Sequence, residues 1–254
     1  MNVIEVHGVS KTFRIPSVHR STVREHMLGI LEPRHFERLQ VLDDVSFEVK
    51  RGEAVGIMGR NGCGKSTLLK IICGVYQADR GRVVRLGEIT PILGLGVGWH
   101  PELDAIDNIC LVGSVMGLSL PELRNRMDKI LAFAELERFA NLKVKHYSSG
   151  MAARLGYAVA FEAVREVLVL DEVFAVGDAS YTAKCEERYR ELYKAGHTII
   201  LVSHAPGTVR TFCDRAILID NGKIQRTGGA VEVSDAYLAL LTPEAPAPSF
   251  TVGV

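Results

Sequence analysis

The stretch GRNGCGKS at 59–66 has the spacing GxxxxGK[ST], and those residue types in that order suit phosphate chemistry. Glycines at 59, 62 and 64 allow a tight loop, so that backbone N–H groups from Gly59, Arg60, Asn61, Gly62, Cys63 and Gly64 can cradle phosphate oxygens together with the N-terminus of a following helix. Lys65 is spaced to reach the β- and γ-phosphates, the Ser66 hydroxyl to ligate Mg²⁺, and Thr67 continues the set. A second stretch, VLVLDE at 167–172, ends an apolar run in two carboxylates. Asp171 can hold Mg²⁺ through water, and Glu172 can polarise an attacking water as general base. His204 follows the apolar run IILVS, where it could contact a γ-phosphate, although a histidine at a strand end is more often structural. No NKxD occurs, which argues against GTP and leaves ATP as the nucleotide. YSSGM at 147–151 precedes a small-residue helix, and by itself is turn chemistry at a capped helix start.

The elements that must position these residues are legible from periodicity. EAVGIMG (53–59) is a short apolar run ending in glycine, a buried strand feeding the loop, and STLLKIICG is a helix that Gly74 stops. EVLVLDE (166–172) and HTIILVSH are two further buried strands, with the helix YTAKCEERYRELYKAG between them. VIEVHGV (3–9) alternates like a strand, and strand character resumes at VLDDVSFEVK after a polar, His/Arg-rich interval at 14–40. Two or three helices occupy 101–141, with Leu123, Met127, Ile130, Leu131 and Ala134 spaced for core packing. RAILIDNGKIQR carries an Asn-Gly hairpin turn, and a last helix falls near 231–241. Strands alternating with helices predict an α/β fold with a mostly parallel core sheet.

Composition narrows the classes further. Thirty basic and thirty acidic residues balance, so no bulk charge points to nucleic acid. Five cysteines at irregular spacing, one of them inside the glycine-rich loop, suit a reduced cytosolic chain better than a disulfide scaffold. No apolar run reaches the eighteen or more residues of a membrane helix, and the N-terminus lacks a signal-peptide pattern.

The order of the motifs resembles the ATP-binding cassette family: a phosphate loop, YSSGM about eighty residues on, then strand-Asp-Glu, then a strand ending in His. The resemblance runs over about residues 3–240 and implies a P-loop ATPase fold with an antiparallel β subdomain and a helical subdomain. The expected organisation is a nucleotide-binding domain at 1–241, with its helical subdomain at about 101–163 and an insertion at 14–40, and a flexible tail at 242–254. YSSGM sits where the family has its LSGGQ signature; Ser148 and Gly150 match, whereas Tyr147, Ser149 and Met151 depart. The resemblance implies a homodimer joined head-to-tail through two shared ATP sites, in which Ser148, Ser149 and Gly150 meet the γ-phosphate held by the second subunit. Asp178 matches the D-loop aspartate, and Phe13 in SKTF the aromatic that stacks on adenine.

The family's Q-loop glutamine should fall near 94–97, yet PILGLGVGWHPEL contains none. That replacement, YSSGM, DEVFAVGD and the 14–40 interval are similar to the subunits that power export of bacterial polysaccharides: O-antigen, capsule and teichoic acid. The implied partner is a pair of integral membrane permease subunits, which handle most of a lipid-linked glycan, with the ATPase peripheral on the cytoplasmic face of the plasma membrane. ATP and Mg²⁺ are the implied cofactors. Two rivals are an importer or drug-exporter ATPase, disfavoured by the missing glutamine and the insertion, and a soluble non-transport relative, disfavoured by the absence of a coiled-coil insertion or second cassette. Within 14–40, TVRE (22–25) reads as a capping box from Thr22 to Glu25. Val23, Met27, Ile30 and Leu31 then share one helix face ended by Pro33, read here as a docking element for the membrane partner, the alternative being that the face packs on the chain's own core.

Overall fold

A computed structural model describes residues 1–16, 36–93, 98–171 and 178–241. The centre is a six-stranded sheet made from the apolar runs. Its strands are β3 (Ala54–Met58), β5 (Ile89–Ile92), β6 (Val167–Asp171), β7 (Thr198–Val202), β8 (Arg215–Asp220) and β9 (Lys223–Gly229), in the order β5-β6-β7-β3-β8-β9. The first five run parallel and β9 returns antiparallel. Asn221 and Gly222, at φ 47° and 74°, supply the two positive dihedrals that the β8–β9 hairpin needs. Every residue of β3 and β7 is buried, because a parallel sheet is covered on both faces.

Alternate side chains of these strands feed separate cores. Val55, Ile57, Val167, Val169, Ile200 and Val202 pack toward α1 (Lys65–Ile72) and a second, three-stranded antiparallel sheet. That sheet has the order β2-β1-β4, from β1 (Asn2–Pro16), β2 (Phe36–Lys50) and β4 (Arg80–Arg85). Leu168, Leu170, Ile199 and Leu201 face the other way, onto Tyr157 and Phe161 of α4 (Ser149–Glu162) and Tyr181 and Tyr189 of α5 (Ala179–Lys194). Between β5 and β6, the helices α2 (Ala105–Val115), α3 (Leu120–Ala134) and α4 build a core of their own. Leu123, Ile130, Leu131 and Ala134 are buried there, with Met127 packed at its edge, as their spacing predicts. Ser119 opens α3 with a full capping box to Glu122. After β7 comes α6 (Pro206–Phe212). Finally α7 (Ala230–Leu241) packs Ala230, Val233 and Tyr237 onto Met58, Ala216 and Leu218.

The boundaries of the 14–40 interval need correction. β1 continues through Arg14 and Ile15 to Pro16, and β2 begins at Phe36, with Arg14 opposite Arg38 and Ile15 opposite Glu37. Residues 36–40 of β2 are all exposed, so this end of the ribbon carries no alternation of buried and open positions, and sequence periodicity does not reveal it. The capping box at 22–25 and the apolar face of Val23, Met27, Ile30 and Leu31 lie outside the described residues. Strands β4 and β5 and helix α6 lie outside the elements that periodicity predicts.

Candidate phosphate-binding site

The loop between β3 and α1 forms the site. Gly64 is the N-cap of α1 at φ 108°, no side chain caps the helix, and its first turn carries no acidic residue. A β-carbon on Gly64 would sit 2.7 Å from the Val41 carbonyl oxygen and 2.8 Å from Leu42 Cδ2, so this close approach to β2 excludes any other residue. The resulting depression, about 260 Å³, is lined by Val41, Asn61, Gly62, Gly64, Lys65, Ser66 and Thr67. Helix N–H groups left uncapped, a positive dipole end and an ammonium converge on it, an arrangement that suits an anion.

Lys65 is 7% exposed, and its ammonium donates to the carbonyls of Gly59 at 2.8 Å and Arg60 at 3.0 Å. Those two bonds hold the cation inside the loop. The Arg60 guanidinium donates to the Leu240 carbonyl at the end of α7, away from the loop, which is compatible with the backbone role expected of this residue. Cys63 is buried beneath the loop, and burial pushes its thiol above the usual range. Val41 was not identifiable from the sequence, because it reaches the depression only through the packing of β2 on the loop.

Strand register brings the other chemistry to the same edge of the sheet. Asp171 pairs with Val202, and Val202 pairs with Ile57. Asp171, the Ser203–His204 step and the Gly59 loop therefore leave neighbouring strands at their C-terminal ends, where open α/β sheets bind ligands. His204 is exposed; Ser203 is buried, donates its N–H to the Ile57 carbonyl at 3.3 Å, and accepts from the Ala205 N–H at 3.1 Å. Glu172 lies outside the described residues. Among the described residues no group of three or more His, Cys, Asp or Glu side chains could hold a metal by itself. Ser66 and Asp171 fit a hard cation that also takes phosphate oxygens and water, the usual way Mg²⁺ is held.

The remaining expected residues do not line the depression. Phe13 is edge-on to Tyr76, with ring centroids 5.8 Å apart, and Lys11 sits 5.6 Å from its centroid. It stands opposite Leu39 in β2, two residues before Val41. Ser148 is the N-cap of α4, where its hydroxyl oxygen accepts from the Met151 N–H at 3.1 Å. Ser148 and Ser149 are exposed, and a β-carbon on Gly150 would touch only Ser148 Oγ, at 3.8 Å. Asp178 is the N-cap of α5; the Tyr181 N–H, with Arg154 beside it, holds its carboxyl below the usual carboxylate range.

A family profile described as ABC transporter matches residues 42–175, over half of the chain. The chain belongs to the ABC transporter family. As a family member it is 40% identical over 242 residues to the ABC transporter protein AbcA of Aeromonas salmonicida, spanning 95% of this chain and 78% of that protein. It is 37% identical over 258 residues to the O-antigen export system ATP-binding protein RfbB of Myxococcus xanthus, spanning 99% of this chain. It is 39% identical over 211 residues to the teichoic acids export ATP-binding protein TagH of Listeria monocytogenes serotype 4b, spanning 82% of this chain. The alignments cover 59% and 63% of those two relatives, respectively. Among solved structures, a dimeric, post-hydrolysis ATP-binding cassette bound to ADP and phosphate matches with a TM-score of 0.72 and 25% identity, over 89% of this chain and 98% of that one. The ABC cassette fold expected from the motifs is therefore the fold of this chain. No helix among the described residues is long and apolar enough to cross a membrane.

Proposed function

We propose that this ABC cassette is the ATP-hydrolysing subunit of an exporter that moves a lipid-linked bacterial polysaccharide, of the O-antigen or teichoic acid kind, across the plasma membrane. One observation carries the nucleotide reading: an uncapped helix N-terminus and a nearly buried lysine converge on one depression. The export reading is supported by relatives whose names specify O-antigen and teichoic acid export.

On this reading Lys65 exchanges its bonds to the Gly59 and Arg60 carbonyls for bonds to phosphate oxygens, an exchange for charge-assisted partners. The N–H groups opening α1 neutralise the same oxygens. Ser66 and Asp171 would hold Mg²⁺, which would supply Lewis-acid polarisation of the phosphates. Glu172 takes the proton of the attacking water, and His204 contacts the γ-phosphate. Phe13 stacks on the adenine. Ser148, Ser149, Gly150 and Asp178 serve the site of a second copy, so two ATP molecules are shared in a head-to-tail dimer. Closing and opening of that dimer passes motion to two membrane permease subunits, which handle the glycan. The cassette then sits peripherally on the cytoplasmic face, with 1–241 as its nucleotide-binding domain.

Proteoliposomes containing the cassette and its membrane partner, supplied with a lipid-linked glycan, test the proposal. ATP-dependent appearance of the glycan in the opposite leaflet, lost in Lys65→Ala, is the expected result. ATP hydrolysis without glycan movement, in a system that moves another solute, would overturn the substrate assignment.

A further inference from the structure

Arg154 lies on α4, six residues beyond the Ser148 cap, and it bonds to residues of two neighbouring helices. Its Nη1 donates to Glu135 Oε2 at 2.6 Å, and its Nη2 donates to Asp178 Oδ2 at 3.0 Å. Its guanidinium carbon stands 4.7 Å from the centroid of the Tyr181 ring, and the Tyr181 hydroxyl donates back to the Arg154 carbonyl at 3.0 Å. Tyr181 is fully buried and its N–H is the one that Asp178 Oδ1 caps, at 2.9 Å. Glu135 is the left-handed C-cap of α3 and also faces Lys184 of α5 at 3.6 Å. One planar fork therefore ties the end of α3, the body of α4 and the start of α5.

The exposures make the arrangement directional. The Arg154 side chain is 20% exposed, whereas Asp178 is 65% exposed. The cation rests on the buried Tyr181 ring and is held between two carboxylates, Glu135 at 45% exposed and the more open Asp178. A fork with two occupied prongs restricts orientation in a way that a single point charge does not.

We propose that Arg154 is a positioning residue that locks the helix start at Ser148 to the helix start at Asp178, so that both are offered to a second subunit as one rigid unit. This rests on the reading that Ser148 and Asp178 act toward the site of a partner copy. Arg154 touches no nucleotide in this scheme; it acts through Asp178.

Two measurements test it. In the monomer, hydrogen exchange of the Met151 and Tyr181 amides should quicken together in Arg154→Met, each by about tenfold, since Asp178 loses a direct bond and the α4 start loses its tie to α5 through Arg154. Methionine keeps apolar contact with the Tyr181 ring, and Arg154→Lys, which keeps the charge without the fork, should give a smaller change at both amides. Unchanged exchange at either amide overturns the proposal. The second measurement is ATP-dependent dimerisation by sedimentation. Arg154→Met and Asp178→Asn should each weaken it about tenfold, and the double variant should be no weaker than either single one. Additive losses overturn the coupling. A wild-type chain that does not dimerise with ATP refutes the dimer reading instead, and the exchange data still decide whether Arg154 joins the two helix starts.

Discussion

Replacing Gly64 by alanine separates the steric demand of the phosphate loop from its conformational demand. At φ 108° an alanine is strained, at a cost of about 1–3 kcal/mol. Its β-carbon would also lie 2.7 Å from the Val41 carbonyl oxygen, where ordinary contact begins at 3.4 Å. Opening that gap moves β2 away from the loop, an overpacking cost of about 1–3 kcal/mol more. The expected loss is about 2–6 kcal/mol in urea denaturation, a large part of the stability of an ordinary domain. The same shift drags the first turn of α1, so one or two charge-assisted bonds to phosphate are lost, at about 1.5–3 kcal/mol each. Titration with a fluorescent ATP analogue should therefore show affinity falling by about tenfold or more. Gly62→Ala is the internal comparison. Gly62 has φ 80° but no atom within 4 Å of its β-carbon position, so only the conformational cost of about 1–2 kcal/mol applies to stability. A Gly64→Ala chain no less stable than Gly62→Ala, with wild-type nucleotide affinity, would refute the argument that contact with β2 shapes the loop.

Glu172→Gln should retain ATP binding while turnover in the assembled transporter falls by about a hundredfold or more, and near-normal turnover would refute the base assignment. Ser119→Ala removes the capping box of α3 and should cost about 1 kcal/mol, read as a lower melting temperature; an unchanged value would mean that the helical core alone sets the start of α3. Burial raises the thiols of Cys63, of Cys185 to about 11, and of Cys73 and Cys213 to about 12, so all four are protonated at pH 7.5. Alkylation of the folded chain at that pH, mapped by mass spectrometry, should spare these four and reach them only in denaturant; rapid native labelling of Cys63 would contradict its burial.

The sequence by itself determined those features whose physical requirement is met by near neighbours. The phosphate loop, the Asn221–Gly222 turn and the capped helix start at Ser148 each have their donors and acceptors within a few residues, so residue type at fixed spacing is enough to reveal them. The apolar runs of β3, β6 and β7 were legible for the same reason, since burial on both faces leaves a continuous signature. Tertiary structure alone decided the rest. The insertion of β7 between β3 and β6, which carries the Ser203–His204 step to the edge shared by Gly59 and Asp171, is a matter of strand order and leaves no local trace. The outer ribbon is held by cross-strand bonds, and its residues 14–15 and 36–40 bury no side chain. Val41 meets the loop only because β2 folds against Gly64. The Arg60 side chain finds its partner at Leu240, and Arg154 finds Glu135 and Asp178, so two guanidinium groups that spacing leaves unassigned turn out to join distant helices. A hydrogen bond within a turn constrains residue identity at a fixed offset, whereas a bond across the fold constrains it only after the chain has closed.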